Sequence, residues 1–408
     1  MMRKIKITRR ITQVLVRFVM LVGLATIQPA FANQLSQYTS QRVQQAHADS
    51  LNGKLDEAIS RLESISTSQE YDQAFVARML GAFYWQNDQP DNAINALKFS
   101  VDSGVLSKAQ HASGVRMLAD LYLSEEKYKK AIHYYHTLVE TEQTNQPERA
   151  LIWLRISQSY YQLEQWEDVL SSVERYQRSG GILDVAALSL RLGAQLQRER
   201  WDNASETLER LVELDPNNSR WWQQWVSVEL RKERVDNALT ILTLSKLQGI
   251  ETNSQQLTLL AQLYANQNMP AKAAESLALL DDALTNVGHI VRQAQFLQQA
   301  KHWEESVRYW QLAAEIEKKY HWQKKYHWNA AQLLLSQREF QRVLDELSNI
   351  PNADLSVSML SAMTQSAYQL SEFDLALTFA IQAEKQEPTE EHSQWVNYLN
   401  NRMHQKPN

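Results

Sequence analysis

Apolar residues recur along this chain with the period of an amphipathic helix, and the pattern returns many times. In its clearest instance, Ala204, Leu208 and Leu211 fall on one helix face at i, i+4 and i+7. Pro216 then ends the helix, because proline lacks a backbone N–H and its ring clashes with the preceding turn. Upstream, the pair Leu192-Gly193 puts a small residue beside a large one, which lets another helix approach closely. The segment is therefore predicted to be a hairpin of two helices.

The small residue at Ala204 has counterparts along most of the chain, at intervals of 33 to 38 residues. The residue four positions later is always apolar or aromatic, and the residue three positions earlier is usually bulky. This periodicity predicts about ten helical hairpins. The ten small positions are Ala58, Ala93, Ala131, Val169, Ala204, Ala238, Ala273, Ser306, Val343 and Ala376.

The first helices of several hairpins carry a large residue, a small residue and then an aromatic one. Examples are Leu80-Gly81 with Tyr84, Leu118-Ala119 with Tyr122, Ile156-Ser157 with Tyr160, and Leu260-Ala261 with Tyr264. This pattern resembles the tetratricopeptide repeat (TPR), whose interval is about 34 residues. The resemblance implies an all-α, TPR-like α-solenoid, a right-handed superhelix of about ten hairpins with a C-terminal capping helix. We expect one continuous array over residues 33–403 and a disordered tail over 404–408.

The first 32 residues have the pattern of an export signal. A basic leader precedes an apolar run over residues 18–27, and Ala30-Phe31-Ala32 matches a small-x-small cleavage site. We therefore expect a signal peptide over residues 1–32, cleavage near Ala32 and a periplasmic protein. The alternative is an uncleaved inner-membrane anchor, because residues 14–16 lengthen the apolar segment. The basic residues of the leader are Arg3, Lys4, Lys6, Arg9, Arg10 and Arg17.

Charge and cysteine content exclude several classes of function. Removing the leader takes away six of the 42 basic residues and leaves 36 against 47 acidic ones, a net charge of −11. A chain this acidic is a poor candidate for nucleic acid or anionic lipid. Cysteine is absent, which excludes disulfides, thiol catalysis, Cys-ligated metal and lipid attachment at an N-terminal Cys. Stable membrane insertion is not expected after cleavage of the leader.

The sequence offers little to suggest catalysis. His133 and His136 stand about one helical turn apart, a spacing that can hold a metal ion, but no third ligand lies at a matching offset. We interpret them as partly exposed histidines on a helix. A nucleophile triad, a phosphate-binding loop and a paired-carboxylate signature are also missing. We predict a non-enzyme without cofactor or metal.

The concave face of a TPR array is its usual binding surface, and carrying its positions onto this sequence predicts the contact residues. Mixed basic, amide and aromatic groups suit an extended polypeptide held by hydrogen bonds. A clamp for a C-terminal carboxylate is disfavoured, because Asp120 would repel it and no Asn accompanies the arginines. The predicted groove residues are Arg78, Trp85, Arg116, Asp120, Gln158, Tyr161, Thr258 and Gln262.

A second predicted contact region is the basic, aromatic segment over residues 318–328, where the string KKYHW occurs twice. One interpretation is a long helix whose lysines are solvated while its aromatic residues pack. The other is a docking patch for an acidic partner. The patch residues are Lys318, Lys319, Lys324, Lys325 and Trp328.

Three strings resemble the periplasmic TPR proteins associated with bacterial TonB systems. They are residues 35–39 (LSQYT), 74–81 (AFVARMLG) with 83–85 (FYW), and 153–160 (WLRISQSY). The resemblance implies an accessory subunit of the TonB–ExbB–ExbD apparatus, which drives uptake of iron chelates. We expect a protein-binding scaffold for that machinery. Alternatives are an envelope-assembly or polysaccharide-export adaptor and, because the chain has 12 Trp residues, a peptidoglycan- or glycan-binding protein.

Overall fold

The computed structural model describes residues 35–140 and 145–404, and this part of the chain is helical without β-strands. The predicted signal peptide lies outside the described residues. The helices are α1 Gln37–Leu51, α2 Leu55–Glu63, α3 Glu70–Gln86, α4 Pro90–Asp102, α5 Lys108–Ser124, α6 Tyr128–Val139, α7 Gln146–Gln162, α8 Trp166–Arg178, α9 Val185–Gln197, α10 Trp201–Leu214, α11 Ser219–Arg231, α12 Val235–Leu247, α13 Ser254–Asn266, α14 Pro270–Ala278, α15 Val287–Gln299, α16 Trp303–Ile316, α17 Tyr320–Ser336, α18 Phe340–Leu347, α19 Val357–Gln369, α20 Phe373–Gln386 and α21 Glu390–His404.

In the described part of the chain, successive helices pair into ten hairpins, from α1–α2 to α19–α20. The chain divides into two compact units between Pro216 and Asn217: the first contains α1–α10 and the second contains α11–α21. Each unit is a TPR-like array of helical hairpins, which confirms the predicted all-α α-solenoid class. The predicted handedness, and the continuity of the array across the boundary, stay predictions.

The small residues that mark the repeats all lie in the core. Each of the ten has an exposed fraction of 0%, and the apolar residue four positions later is at most 3% exposed. A small side chain at the marker lets the two helices of a hairpin pack closely, and the larger residue one turn later fills the space beside it. At Gly81 the two helices of the hairpin approach closely, because a Cβ atom there would lie 2.4 Å from Leu97 Cγ.

Every hairpin closes with the same turn, two residues before its second helix begins. The turn residue adopts a left-handed conformation, with φ between 53° and 78°, and only the first of the ten is glycine. The next residue donates its backbone N–H to a carbonyl five residues earlier, as Gln89 does to Tyr84 at 2.8 Å. This is the Schellman arrangement that ends an α-helix. The turn residues are Gly53, Asp88, Glu126, Glu164, Glu199, Glu233, Asn268, Lys301, Arg338 and Ser371.

The two helices of a hairpin begin differently. The second helices start with the predicted bulky residues, such as Trp166, and have no side-chain cap. Most first helices instead start after a residue whose side-chain oxygen accepts a backbone N–H of the first turn, which satisfies an otherwise unpaired donor. These caps are Ser36, Ser107, Asn145, Asp184, Asn218, Asn253, Asn286 and Ser356.

The last helix, α21, covers the apolar end of the tenth hairpin, as predicted. Leu399 is fully buried, while Trp395 and Val396 are half-buried against the same core. The helix ends at His404, so the first residue of the predicted disordered tail is helical, and residues 405–408 lie outside the described part. Across residues 35–140 and 145–404, no helix combines the length and apolar character needed to span a bilayer.

Candidate binding groove

A cavity of about 650 Å³ opens in the second unit, between the last two hairpins and the final helix. Helix α17 contributes Trp328, Gln332 and Leu335 to its wall. Helix α19 contributes Val357, Ser358, Ser361 and Gln365, and residues of α20 and α21 complete the lining. The volume lies within the range of about 300–1,000 Å³ typical of ligand-binding clefts.

This cavity occupies the groove face predicted from the repeats, although in hairpins for which no groove residue was assigned. Trp328 and Ser361 stand fifteen residues before the markers Val343 and Ala376, the offset that separates Arg78 from its marker. Gln332 and Gln365 share the eleven-residue offset of Asp120 and Gln158, and Leu335 shares the eight-residue offset of Trp85. The large–small–aromatic pattern is weak in these hairpins, but counting back from the markers finds the positions.

The topology places the carboxylates of the lining at one end of the cavity. The Gln386 side-chain N–H donates to the Leu355 carbonyl at 3.0 Å, which ties the end of α20 to the start of α19. Glu387 follows Gln386 directly, and Glu391 belongs to the first turn of α21. Since α17 and α19 are both first helices and run in the same direction, Leu335 and Gln365 lie toward the other end.

The chemistry of the wall is mixed. Gln332 and Gln365 carry amide groups that both donate and accept hydrogen bonds, and Ser358 and Ser361 add hydroxyls. Trp328, Leu335 and Trp395 provide apolar surface. Amides and hydroxyls can bind the backbone of an extended peptide, while apolar surface can bury one of its side chains.

In the first unit, Asp120 occupies a predicted groove position on α5. Its carboxylate, however, is buried in the core. Tyr135 donates its hydroxyl to Asp120 Oδ1 at 2.5 Å, and Arg155 Nη1 lies 3.1 Å from the same oxygen. Burial and the adjacent carboxylate raise the pKa of Tyr135 well above its ordinary value. The Arg155 guanidinium thus offsets the negative charge by which Asp120 was expected to repel a carboxylate, and the contact role of Asp120 stays a prediction.

The two predicted groove arginines have different surroundings. Arg116, on α5, forms an ion pair with Glu148 on α7, the first helix of the next hairpin. The Arg78 guanidinium lies over the Phe75 ring, with its carbon 5.2 Å from the ring centroid, and burial lowers the pKa of Arg78. A Cβ atom placed on Gly114 of the neighbouring hairpin would lie 3.9 Å from Arg78 Cδ.

The remaining groove candidates of the first unit are Trp85, Gln158 and Tyr161. Trp85 and Gln158 are half-buried. Tyr161 is half-buried too, and its ring occupies the space above Gly193, where a Cβ atom would approach the ring to 2.6 Å. Tyr161 also meets Trp166 edge to face at 5.3 Å. The glycine of the pair Leu192-Gly193 thus accommodates an aromatic ring from the preceding repeat.

The candidates in the seventh hairpin lie on α13. Thr258 is half-buried and donates its hydroxyl to the Ser254 carbonyl at 2.9 Å, while Gln262 is exposed. Their contact role stays a prediction.

The predicted basic patch is divided by the structure. Lys318 and Lys319 are exposed in the turn before α17, and their backbone N–H groups donate to the Glu317 carboxylate at 2.9 and 3.0 Å. Lys325 places its ammonium 4.7 Å from the Trp322 ring centroid, and Lys324 is half-buried. Trp328 lines the cavity instead.

The histidine pair lies apart from the cavity. His133 is exposed, whereas the His136 ring contacts Trp153 edge to face and lies 3.5 Å from the Tyr160 hydroxyl. Burial lowers the pKa of His136. Within the described residues no group of three or more His, Cys, Asp or Glu side chains is placed to hold a metal ion.

Comparisons with known proteins return likeness of fold only. No protein-family model matches the chain, and no curated protein matches it either. A tetratricopeptide repeat protein from Parabacteroides merdae is 13% identical, with a TM-score of 0.37 over 65% of this chain and 100% of that chain. YrrB, a TPR protein with an unusual peptide-binding site, is 17% identical, with a TM-score of 0.35 over 52% and 100%. MamA from Desulfovibrio magneticus is 16% identical, with a TM-score of 0.35 over 44% and 97%.

Proposed function

We propose that this protein is a non-catalytic periplasmic scaffold whose cavity between α17, α19 and α21 binds a segment of a partner protein. The observation that carries the proposal is the position of the cavity, because it coincides with groove positions of two successive repeats. Amides, hydroxyls and apolar rings together suit a polypeptide, which offers both backbone hydrogen-bonding groups and side chains.

The partner that we propose is a component of the TonB machinery, which makes this protein an accessory to iron-chelate uptake. The support comes from the sequence: the export signal and the strings over residues 35–39, 74–85 and 153–160 that resemble periplasmic TonB-associated TPR proteins. An adaptor for envelope assembly or polysaccharide export would use the same groove for other clients.

Site-specific photo-crosslinking in living cells tests both parts of this proposal. A photoreactive amino acid at Gln332, Ser361 or Gln365 is expected to capture a TonB-system protein. The same amino acid at Ile381, exposed on α20 and outside the lining, is the matched control. Capture of lipopolysaccharide or capsule machinery without any TonB component would refute the TonB assignment. Recovery of the protein in the cytoplasmic fraction would refute the periplasmic one.

A glycan-binding function is the second candidate, because two indole rings, Trp328 and Trp395, line the cavity beside amides and hydroxyls. Aromatic faces and polar side chains together can also hold a sugar ring. Co-sedimentation of the purified protein with isolated peptidoglycan decides the matter. Binding that is lost in Trp328→Ala would favour this candidate over the scaffold.

A further inference from the structure

We infer that the segment bound in this groove carries a Lys or Arg side chain next to an apolar residue, and that Glu387 and Glu391 bind its cation. This inference rests on the proposed function and adds the chemistry of the partner. Its starting point is that both carboxylates line the same end of the cavity.

Both carboxylates are available to a ligand. Glu387 and Glu391 are exposed, and within the described residues neither side chain takes part in an ion pair or a hydrogen bond. Neighbouring acids differ: Glu384 accepts the Ser393 hydroxyl at 2.5 Å, and Glu390 accepts the Gln394 amide at 3.2 Å. The acidic end of the cavity is thus the part whose charge is not compensated locally.

His392 also lines the cavity, and its Nδ1 contacts a backbone carbonyl and a hydroxyl. His392 Nδ1 lies 2.8 Å from the Glu387 backbone carbonyl and 2.8 Å from Thr389 Oγ1. These contacts hold the ring at the start of α21. Among the described residues no Lys, Arg or His side chain forms an ion pair with Glu387 or Glu391, so we expect the bound segment to supply the cation.

An indole ring beside the carboxylate favours a long basic side chain over a small cation. Glu391 and Trp395 stand four residues apart on α21 and so share one face, which borders the cavity. Trp395 is fixed by edge-to-face contacts with Tyr368 and Tyr398 at 5.5 and 6.2 Å. The aliphatic stem of Lys or Arg can pack on such a ring while its charged head reaches a carboxylate.

The apolar residue of the bound segment is expected to follow its Lys or Arg residue along the groove, on the side away from the two carboxylates. Leu335 and Trp328 provide apolar surface on α17, and Gln332 lies between them in sequence. A peptide that runs along α17 and α19 therefore meets carboxylates at one end and apolar surface with amides farther along. Charge complementarity at the first end distinguishes this occupant from an acidic or a wholly apolar one.

Peptide selection tests the inference directly. A phage-displayed library of random dodecapeptides is selected on the purified protein, and we expect enrichment of Lys and Arg beside aromatic or aliphatic residues. The highest-ranked peptide is then synthesised with a fluorophore and titrated. A double variant that carries Glu387→Gln and Glu391→Gln is expected to bind the peptide roughly three- to tenfold more weakly at low salt, because exposed ion pairs have modest energies. Added salt is expected to reduce this difference.

Glu390→Gln is the matched control, since Glu390 shares the first turn of α21 with Glu391 but lies outside the lining. Both side chains interact alike with the helix dipole, so any stability effect is common to the two. Binding by Glu390→Gln is expected to equal that of the wild type. An equal loss in this control would overturn the inference.

A second variant separates this inference from the proposed function. Ser361→Trp fills the cavity and is expected to abolish binding, with an unchanged circular dichroism spectrum as the folding check, and Gln365→Ala provides a milder test. If these variants lose binding while the double Glu→Gln variant does not, the cationic preference is wrong and the groove function stands. If none of the variants changes binding, both the inference and the groove function are wrong. If selection enriches acidic peptides, only the inference is wrong.

Discussion

Asp120 shows how one carboxylate can connect three helices. It belongs to α5, accepts the hydroxyl of Tyr135 on α6 and pairs with Arg155 on α7. The side chains of Asp120 and Arg155 are each only 11% exposed. A charge so shielded from water needs its partner, because the desolvation of an unpaired ion is not compensated.

Asp120→Ala is therefore expected to lower the free energy of unfolding by about 3–5 kcal/mol, because it leaves the Arg155 guanidinium buried without its anion. Urea unfolding monitored by circular dichroism measures the change. The control is Glu174→Ala, which breaks an exposed pair with Arg178 and should cost less than about 1 kcal/mol. Similar small effects in both variants would contradict this account of Asp120.

His136 is expected to make stability depend on pH. Burial, with a smaller contribution from Arg175, lowers the pKa of His136 below its ordinary value of 6.5. The unfolded chain then binds a proton on this residue more readily, so its contribution to stability falls as the pH drops below about 6.5. His136→Gln should lose less stability than the wild type between about pH 7.5 and about pH 5.5. Urea unfolding at the two pH values measures it, and His133→Gln on the exposed side of α6 serves as the control.

At the scale of the element, the helices of each hairpin begin by two different devices. Polar caps such as Ser107, which forms a capping box with Gln110, start most first helices and fix where each repeat begins. The second helices begin two residues after a left-handed turn residue. That residue reverses the backbone twist and so ends the first helix. A side chain with a Cβ is strained in that conformation by roughly 1–2 kcal/mol.

Glu126→Gly is expected to stabilise the protein by about 0.5–1 kcal/mol, because glycine adopts a φ of 57° without the Cβ clash. The neighbouring substitution Glu125→Gly is the matched control, since Glu125 has a φ of −86° that suits any residue. That control should destabilise the chain through added freedom of the unfolded state. Thermal unfolding of both variants measures the difference, and a loss of stability in Glu126→Gly would show that this turn is not strained.

What could be predicted from the sequence depended on periodicity. Ala204 and its counterparts recur because a close helix contact requires a small residue at a fixed position in each repeat. Asp120 has the same offset from its marker as Gln158, and no other repeat carries an aspartate at that offset, so no repeating signal predicts the buried pair with Arg155. The sequence pattern does not reveal the cavity, because Ser361 belongs to a hairpin with a weak large–small–aromatic pattern, although its marker, Ala376, fits the repeat interval.

At the scale of the whole molecule, each unit has hairpins that pack on their immediate neighbours. The large core of the second unit runs from Ile290 to Leu399 within α15–α21. Arrays of this kind gain stability from contacts between adjacent repeats, so a stretch of five hairpins with its terminal helix can be stable alone.

A fragment of residues 217–408 is therefore expected to fold by itself and to unfold cooperatively in urea. Because the cavity lies wholly within this unit, the fragment should bind the selected peptide as the full chain does. Circular dichroism and the same titration measure both properties. A fragment without helical signal would show that the unit requires the first 216 residues.

The wall formed by α21 has a thermodynamic consequence for any occupant of the groove. Terminal segments open most readily in a repeat array, since they have a neighbour on one side only. A ligand that touches both α19 and α21 binds only while that last helix is docked, so its apparent affinity includes the docking equilibrium. Ligand binding is therefore coupled to the docking of α21, and a bound ligand would oppose the local unfolding of that helix.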